Sequence, residues 1–377
     1  MNVEVKVECP VYNSFRVQQV AGLFDVPLQA KMAQVFRAEV PDPDGSWKIG
    51  AIVGPSGCGK CTIARQVFGV RLYGGEPWPA DKAVVDGFGD RSIQDITKTL
   101  TAVGFSSPPS WAKPYAVLSN GEKFRCDLAR ALLSGKDGIA FDEFTSLVDR
   151  NVAKIGSAAV AKALRGGILP IQWFCAVTCH YDIVEWLEPD WVLDMATGTL
   201  ARGRLCRRPE IRLEVFRCEN AAWKLFAKHH YMSSALHPAA QCYLATWNGE
   251  PVAFIAMIAN FGHKGFWRIS RVVTLPDYQG LGLGTRLAET VGDIYREQGK
   301  RVTILASHPA ILRHCEKSPL WRLTGVFKNG KAGHTEKNRG QKRVASTGRS
   351  VASFEYIGAR PVAPARARSG CGTADRA

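Results

Sequence analysis

What the 377 residues lack narrows the field first. No apolar run approaches the ~18–20 residues that span a bilayer. The nearest, 252–261, is far too short, so no membrane partner is expected. The opening residues mix acids, a lysine and valines and do not have the basic-then-apolar pattern of an export leader. Eleven cysteines are present without a disulfide-like framework. In a chain this long they read as free thiols, and a reducing cytoplasm is the expected location. Acid is scarce in one half only. Residues 1–200 hold 20 Lys and Arg against 22 Asp and Glu, a net −2, whereas residues 201–377 hold 29 against 12, a net +17. That asymmetry points to a polyanionic partner, nucleic acid above all, for the second half.

The length suits two or three domains. Near the start stands Gly54-Pro55-Ser56-Gly57-Cys58-Gly59-Lys60-Cys61-Thr62, after the apolar run 49–53 and before the helix-like run 63–68. Strand, Gly-rich loop, Lys and helix make a phosphate-binding loop. Gly54, Ser56, Gly57 and Gly59 let backbone N–H groups wrap a phosphate, and the following helix aims its positive end at the anion. Lys60 adds a point charge. The residue after the Lys normally offers a hydroxyl to Mg²⁺. Here it is Cys61, a soft donor for a hard cation, and Thr62 follows as the candidate metal ligand.

Further along come Leu118-Ser119-Asn120-Gly121-Glu122, then an apolar stretch ending in Asp142-Glu143, then Asp149, then a strand-like run ending in Cys179-His180. In order and spacing, residues 1–200 resemble the ATP-binding cassette family. The resemblance implies that ATP is held by the Lys60 loop and by the signature loop around Ser119 and Gly121. It implies that Asp142 holds Mg²⁺, Glu143 activates the attacking water and His180 senses the γ-phosphate. Asp149 would be a dimer contact, with ATP bringing two chains together. Two residues depart from the family pattern, Asn120 for a Gly and Cys61 for a hydroxyl. Only 59 positions separate Lys60 from Ser119, short for a transporter cassette.

Residues 201–212 read as a basic hinge. In the second domain, 213–358, strand-like runs at 241–247 and 252–261 are joined by Asn248-Gly249, a two-residue hairpin turn. A strand-like run, 266–274, leads into Pro276-Asp277-Tyr278-Gln279-Gly280-Leu281-Gly282-Leu283-Gly284 and an amphipathic helix. This stretch resembles the GNAT acyltransferase superfamily. The resemblance implies that backbone around Gln279, Gly280, Gly282 and Gly284 holds the diphosphate of acetyl-coenzyme A or another acyl donor. The central strand has no Glu to serve as base. His230, Tyr231, Arg271 and Ser307 are the catalytic candidates, and His230-Tyr231 resembles a segment of phage Mu's adenine-modifying GNAT enzyme. Residues 328–349 are strongly basic, a loop suited to phosphate contacts, and 359–377 read as a disordered basic tail.

The expected fold is therefore α/β, a phosphate-loop ABC-type ATPase domain followed by an α+β GNAT domain, as in phage and archaeal cassette–GNAT fusions. The expected function is ATP-controlled acyl transfer to an amino group on DNA or transfer RNA, by a homodimer needing ATP, Mg²⁺ and acetyl-CoA. Two alternatives stand beside it: acetylation of protein or small-molecule amines, and an ATP-switched nucleic-acid binder with an inactive GNAT fold.

Overall fold

The computed structural model describes residues 1–10, 12–25, 31–134, 137–203, 206–230, 235–260, 262–328 and 350–359. Tyr231, the basic loop beyond 328 and the tail beyond 359 lie outside the described residues.

Apolar spacing alone suggests a strand-like run at 15–20 and a helical patch near 29–36; where these residues are described, the structure reverses both. β1 (Asn2–Pro10) pairs antiparallel with β2 (Lys31–Glu39), from Asn2 opposite Glu39 to Pro10 opposite Lys31. Between them lies α1 (Phe15–Phe24). The Ser14 hydroxyl caps α1 by accepting from the Val17 N–H, and that local bond decides an otherwise ambiguous apolar run. In β2, Ala38 and Val40 beyond its end are buried while Arg37 and Glu39 are exposed, the period of two of a half-buried strand.

The chain continues through β3 (Ile49–Val53), α2 (Lys60–Phe68), β4 (Leu72–Tyr73), α3 (Ile93–Ala102), α4 (Pro108–Trp111) and α5 (Asn120–Leu132). β5 (Gly138–Phe141), α6 (Arg150–Arg165), β6 (Trp173–Thr178), α7 (Val184–Leu187), β7 (Trp191–Asp194) and β8 (Thr199–Arg202) complete the first sheet. Its strand order is β4-β5-β6-β3-β7-β8, parallel except for β8. Every residue of β3 is buried. Ile49, Ala51 and Val53 join the core formed with Leu128 of α5 and Val160 of α6, and Ile52 joins the other core with Ile63 and Ala64 of α2. A sheet covered on both faces explains why its strands read as unbroken apolar runs.

The second sheet is built from β9 (Glu214–Cys218), with α8 (Trp223–Phe226) following, then β10 (Gln241–Trp247), β11 (Glu250–Ala259) and β12 (Phe266–Thr274). After α9 (Leu283–Glu297) come β13 (Arg301–Ala306), α10 (Pro309–Lys317), β14 (Trp321–Lys328) and β15 (Ser350–Tyr356). The order is β14-β15-β13-β12-β11-β10-β9. Asn248 and Gly249 both have positive φ, as the expected two-residue hairpin turn requires. Two compact units result. One comprises Met1–Ile255 and Val272–Leu287, and the other Ala256–Arg271 and Ala288–Ala377. The first thus holds the whole of the first sheet together with the Gln279–Gly284 stretch. Among the described residues no helix is long and apolar enough to cross a membrane.

Gly59 ends the phosphate loop at φ +88°, and a Cβ there would overlap the Phe36 ring of β2. Gly59→Ala therefore meets both backbone strain, about 1–3 kcal/mol, and overpacking of similar size. Its thermal midpoint is expected to fall below that of the wild type. Adding Phe36→Ala should recover the steric part alone, which a double-mutant cycle on melting curves reads directly.

Candidate active sites

Parallel pairing determines what meets at the first site. Val53 stands opposite Thr178 and Phe141 opposite Ala176, so β3, β5 and β6 end at one edge of the sheet. Gly54 and Asp142 directly follow two of those ends, and His180 lies two residues beyond the third, after Cys179. A carboxyl-end edge of this kind is where α/β sheets bind ligands.

Within the loop, Gly54, Gly57 and Gly59 all have positive φ, and nothing lies within 4 Å of the position a Cβ on Gly57 would take. Ser56 is exposed at the tip. Lys60 opens α2 and is 6% exposed, its ammonium donating to the Pro55 carbonyl at 2.8 Å and reaching Cys58 Sγ at 4.0 Å. A cation stretched across an open glycine cradle at a helix N-terminus fits a triphosphate.

Cys61 faces the acids. Its thiol donates to Asp142 Oδ1 at 2.9 Å and lies 4.0 Å from Glu143 Oε1. Thr62, one residue on and about 100° around the helix, has no hydrogen bond to either acid among the described residues. Cys61, Asp142 and Glu143 bring one potential ligand atom each within 4.8 Å of one another. Burial, reinforced by the bond to Asp142 and the charges of Asp142 and Glu143, pushes the Cys61 thiol up to about 12. The group is a neutral donor at pH 7. For Mg²⁺ the donor set therefore offers Asp142 oxygens, while the sulfur fits poorly.

Glu143 and Thr145 occupy the left-handed region at φ +52° and +70°, a conformation rare for side chains of this kind and held only where neighbours stabilise it. The turn is tied down closely. Glu143 N–H donates to Asp142 Oδ1 at 3.0 Å, Ser146 Oγ donates to Glu143 Oε2 at 2.6 Å, and Phe144 N–H donates to the Val177 carbonyl at 2.9 Å. Thr145 Oγ1 meets His180 Nδ1 at 3.2 Å. Burial, with Arg150 adding to it, lowers the His180 pKa against the pull of Asp182 and Glu143. The imidazole is thus kept neutral at physiological pH. Arg150 itself is engaged by Asp182.

Ser119 and Asp149 act as helix caps. Ser119 shares a capping box with Glu122 at the start of α5, its Oγ accepting from Glu122 N–H at 3.3 Å. Gly121 lies in the first turn of that helix, where a Cβ would touch Val152 at 3.4 Å. Asp149 Oδ1 accepts from Asn151 and Val152 N–H at the start of α6. Both caps are exposed.

In the second candidate site, Gly280 and Gly282 have φ +98° and +84°, and α9 starts immediately after them. Gln279 Oε1 accepts from Ser106 N–H at 2.9 Å while its Nε2 donates to the Thr274 carbonyl at 3.0 Å. At Gly284 a Cβ would lie 2.7 Å from Thr274 Oγ1, so glycine is needed for helix–strand approach. His230 ends the turn after α8, edge-on to Trp223 with ring centroids 5.7 Å apart. His230 belongs to the first compact unit, and Arg271 and Ser307 to the second. Arg271 Nη1 donates to the Ser270 carbonyl at 2.7 Å, and Ser307 lies between β13 and α10, half-buried. Tyr356 on β15 is buried, and its hydroxyl donates to Asp293 at 2.9 Å. Burial and that carboxylate hold its pKa well above the usual phenol range. The sequence reading missed Glu289, which is buried on α9 and meets His314 Nε2 of α10 at 2.7 Å and Ser318 Oγ at 3.3 Å. Their separation of 25 residues carries no local signal.

Cys61→Ser is expected to raise Mg²⁺-dependent ATP turnover by placing a hard oxygen opposite Asp142. Steady-state phosphate release across a Mg²⁺ titration checks this. Unchanged or lower turnover would mean that the residue at 61 does not limit metal use.

Against known proteins, the model of the acetyltransferase (GNAT) family matches residues 209–312. No curated protein matches significantly. Parts of the chain are similar to solved structures at low identity. An IAA acetyltransferase from Bacillus cereus ATCC 14579 is 13% identical, covering 38% of this chain and 99% of the other, with TM-score 0.30. The ribosomal-protein-S18-alanine N-acetyltransferase from Escherichia coli is 14% identical, covering 40% and 97%, with TM-score 0.30. The dimeric ATP-binding cassette MJ0796 bound to ADP and Pi is 12% identical, covering 45% and 92%, with TM-score 0.37. The chain is mixed α/β, with a GNAT domain in its C-terminal half.

Proposed function

We propose that the protein is a cassette ATPase coupled to a GNAT N-acyltransferase that modifies an amino group on nucleic acid. One observation carries the coupling: a phosphate loop with Lys60, Asp142, Glu143 and His180 at one sheet edge shares its chain with the GNAT-family match at 209–312. The net +17 of residues 201–377 supports a polyanionic acceptor.

In this reading the loop backbone and Lys60 bind and orient the ATP phosphates. Asp142 would hold Mg²⁺, and the ion when bound would supply charge neutralisation on the phosphates. Glu143 takes the proton of the attacking water, and the Ser146 hydroxyl orients that carboxylate. His180, neutral and anchored through Nδ1 to Thr145, offers Nε2 to the γ-phosphate. The exposed Ser119 cap and its helix N-terminus complete the site of a second copy, so ATP joins two chains. In the acyltransferase half, backbone at 279–284 receives the donor's diphosphate. His230 accepts the amine proton at neutral pH, and Tyr231, Arg271 and Ser307 are the other proposed participants.

Glu143→Gln is expected to hold ATP without hydrolysis and to accumulate as a dimer, and Lys60→Ala to remain monomeric. Light scattering with ATP and Mg²⁺ decides it; a monomeric Glu143→Gln protein contradicts the head-to-tail arrangement.

Binding to duplex DNA should weaken with salt at a log–log slope of roughly −3 to −6, the signature of several phosphate contacts. Changing Lys337, Arg339, Lys342 and Arg343 to Ala should flatten that slope for all sequences alike. A slope near zero in the wild type would move the acceptor to a protein or small molecule.

A further inference from the structure

The Gln279–Gly284 stretch does not stand free. Three segments of the cassette hold it within one compact unit. Ala159 and Lys162 are three residues apart on α6 and so share a face. Lys162 Nζ donates to the Leu281 carbonyl at 2.8 Å, and the same nitrogen lies 3.1 Å from where a Cβ on Gly282 would sit. A Cβ on Gly280 would meet the Ala159 methyl at 2.8 Å and Gly104 Cα at 3.0 Å. After α3, Ser106 N–H bonds the Gln279 side chain. From α5, Arg125, 1% exposed, donates Nη2 to the Asp277 carbonyl at 3.3 Å. An apolar seam of Ile155, Ala158 and Trp186 with Tyr278 and Leu281 runs alongside.

These bonds bear on anion binding. In a planar trans peptide the carbonyl of one residue and the N–H of the next point in opposite directions. Capturing the Leu281 carbonyl therefore fixes where the Gly282 N–H points, and glycine's freedom at 280 and 282 would otherwise leave that direction loose. The captured carbonyl also brings an ammonium charge beside the loop, one turn before the positive end of α9.

Resting on the acyltransferase reading, we propose that Lys162 and Arg125 of the cassette are positioning residues for the acyl-coenzyme loop, so that the donor's diphosphate site is complete only with the cassette docked. The geometry also ties that loop to the ATP-facing motifs. α6 starts at the Asp149 cap and α5 at the Ser119 cap, and each helix reaches the loop within its own length.

The test uses the full chain and three donors or ligands: acetyl-CoA, S-acetyl-pantetheine, which lacks the diphosphate, and ATP. Lys162 is exposed, so its replacement leaves the core intact. Lys162→Met should weaken acetyl-CoA binding by about tenfold, as loss of a charge-assisted hydrogen bond does. It should leave ATP affinity and turnover with S-acetyl-pantetheine unchanged. Lys162→Arg should restore acetyl-CoA binding. Equal acetyl-CoA affinity in wild type and Lys162→Met, or equal weakening with S-acetyl-pantetheine, overturns the positioning role. A wild type that binds no acetyl-CoA overturns the acyltransferase reading and this inference with it.

Discussion

The parallel register of β5, β6 and β3 is the constraint on which the first candidate site depends. Because Phe141, Ala176 and Val53 lie near one line across the sheet, every chain segment that leaves a strand there emerges on the same edge. The glycine loop, Asp142 and His180 are brought together by strand pairing before any side chain contributes. Burial of β3 on both faces makes that register hard to slip, since Ile49, Ala51 and Val53 feed one core and Ile52 the other. The local strain at Glu143 and Thr145 is then borne by bonds to Asp142, Ser146, Val177 and His180.

On that frame the thiol at position 61 is the chemical oddity. It stands where a hydroxyl is expected and spends its single proton on Asp142. If Asp142 holds Mg²⁺ as proposed, a protonated thiol bonded to it would compete with the metal for one of its oxygens. In the proposed reading, the glycine loop and Lys60 suit a triphosphate, while the donor set for Mg²⁺ is weakened by one atom.

Features that rest on backbone were the most legible in the sequence. The phosphate loop, the Gln279–Gly284 turn and the Asn248-Gly249 hairpin all need glycine or a tight spacing, and such needs leave a mark over a few residues. The β1–β2 pairing was not legible, because an antiparallel partner some thirty residues away and the Ser14 cap decide between helix and strand there. Nor was the choice of Cys61 over Thr62 opposite Asp142, which helix rotation settles. Lys162, Arg125 and Ser106 left no trace either, since their partners lie 119, 152 and 173 residues away. The GNAT half yielded least chemistry, as its candidate proton carriers are single residues without a spacing rule. The structure gives Tyr356 to Asp293 and pairs Glu289 with His314, neither of which periodicity signals.

The central claim is that ATP binding at Lys60 governs acyl transfer to nucleic acid. Mass spectrometry of nucleosides from the DNA and transfer RNA of cells expressing the wild type, the Lys60→Ala variant or neither tests it most directly. A nucleoside heavier by one acyl group is expected in the wild-type sample, with its loss or strong reduction in Lys60→Ala. Unmodified nucleosides in all three samples, or a modification indifferent to Lys60, would contradict it.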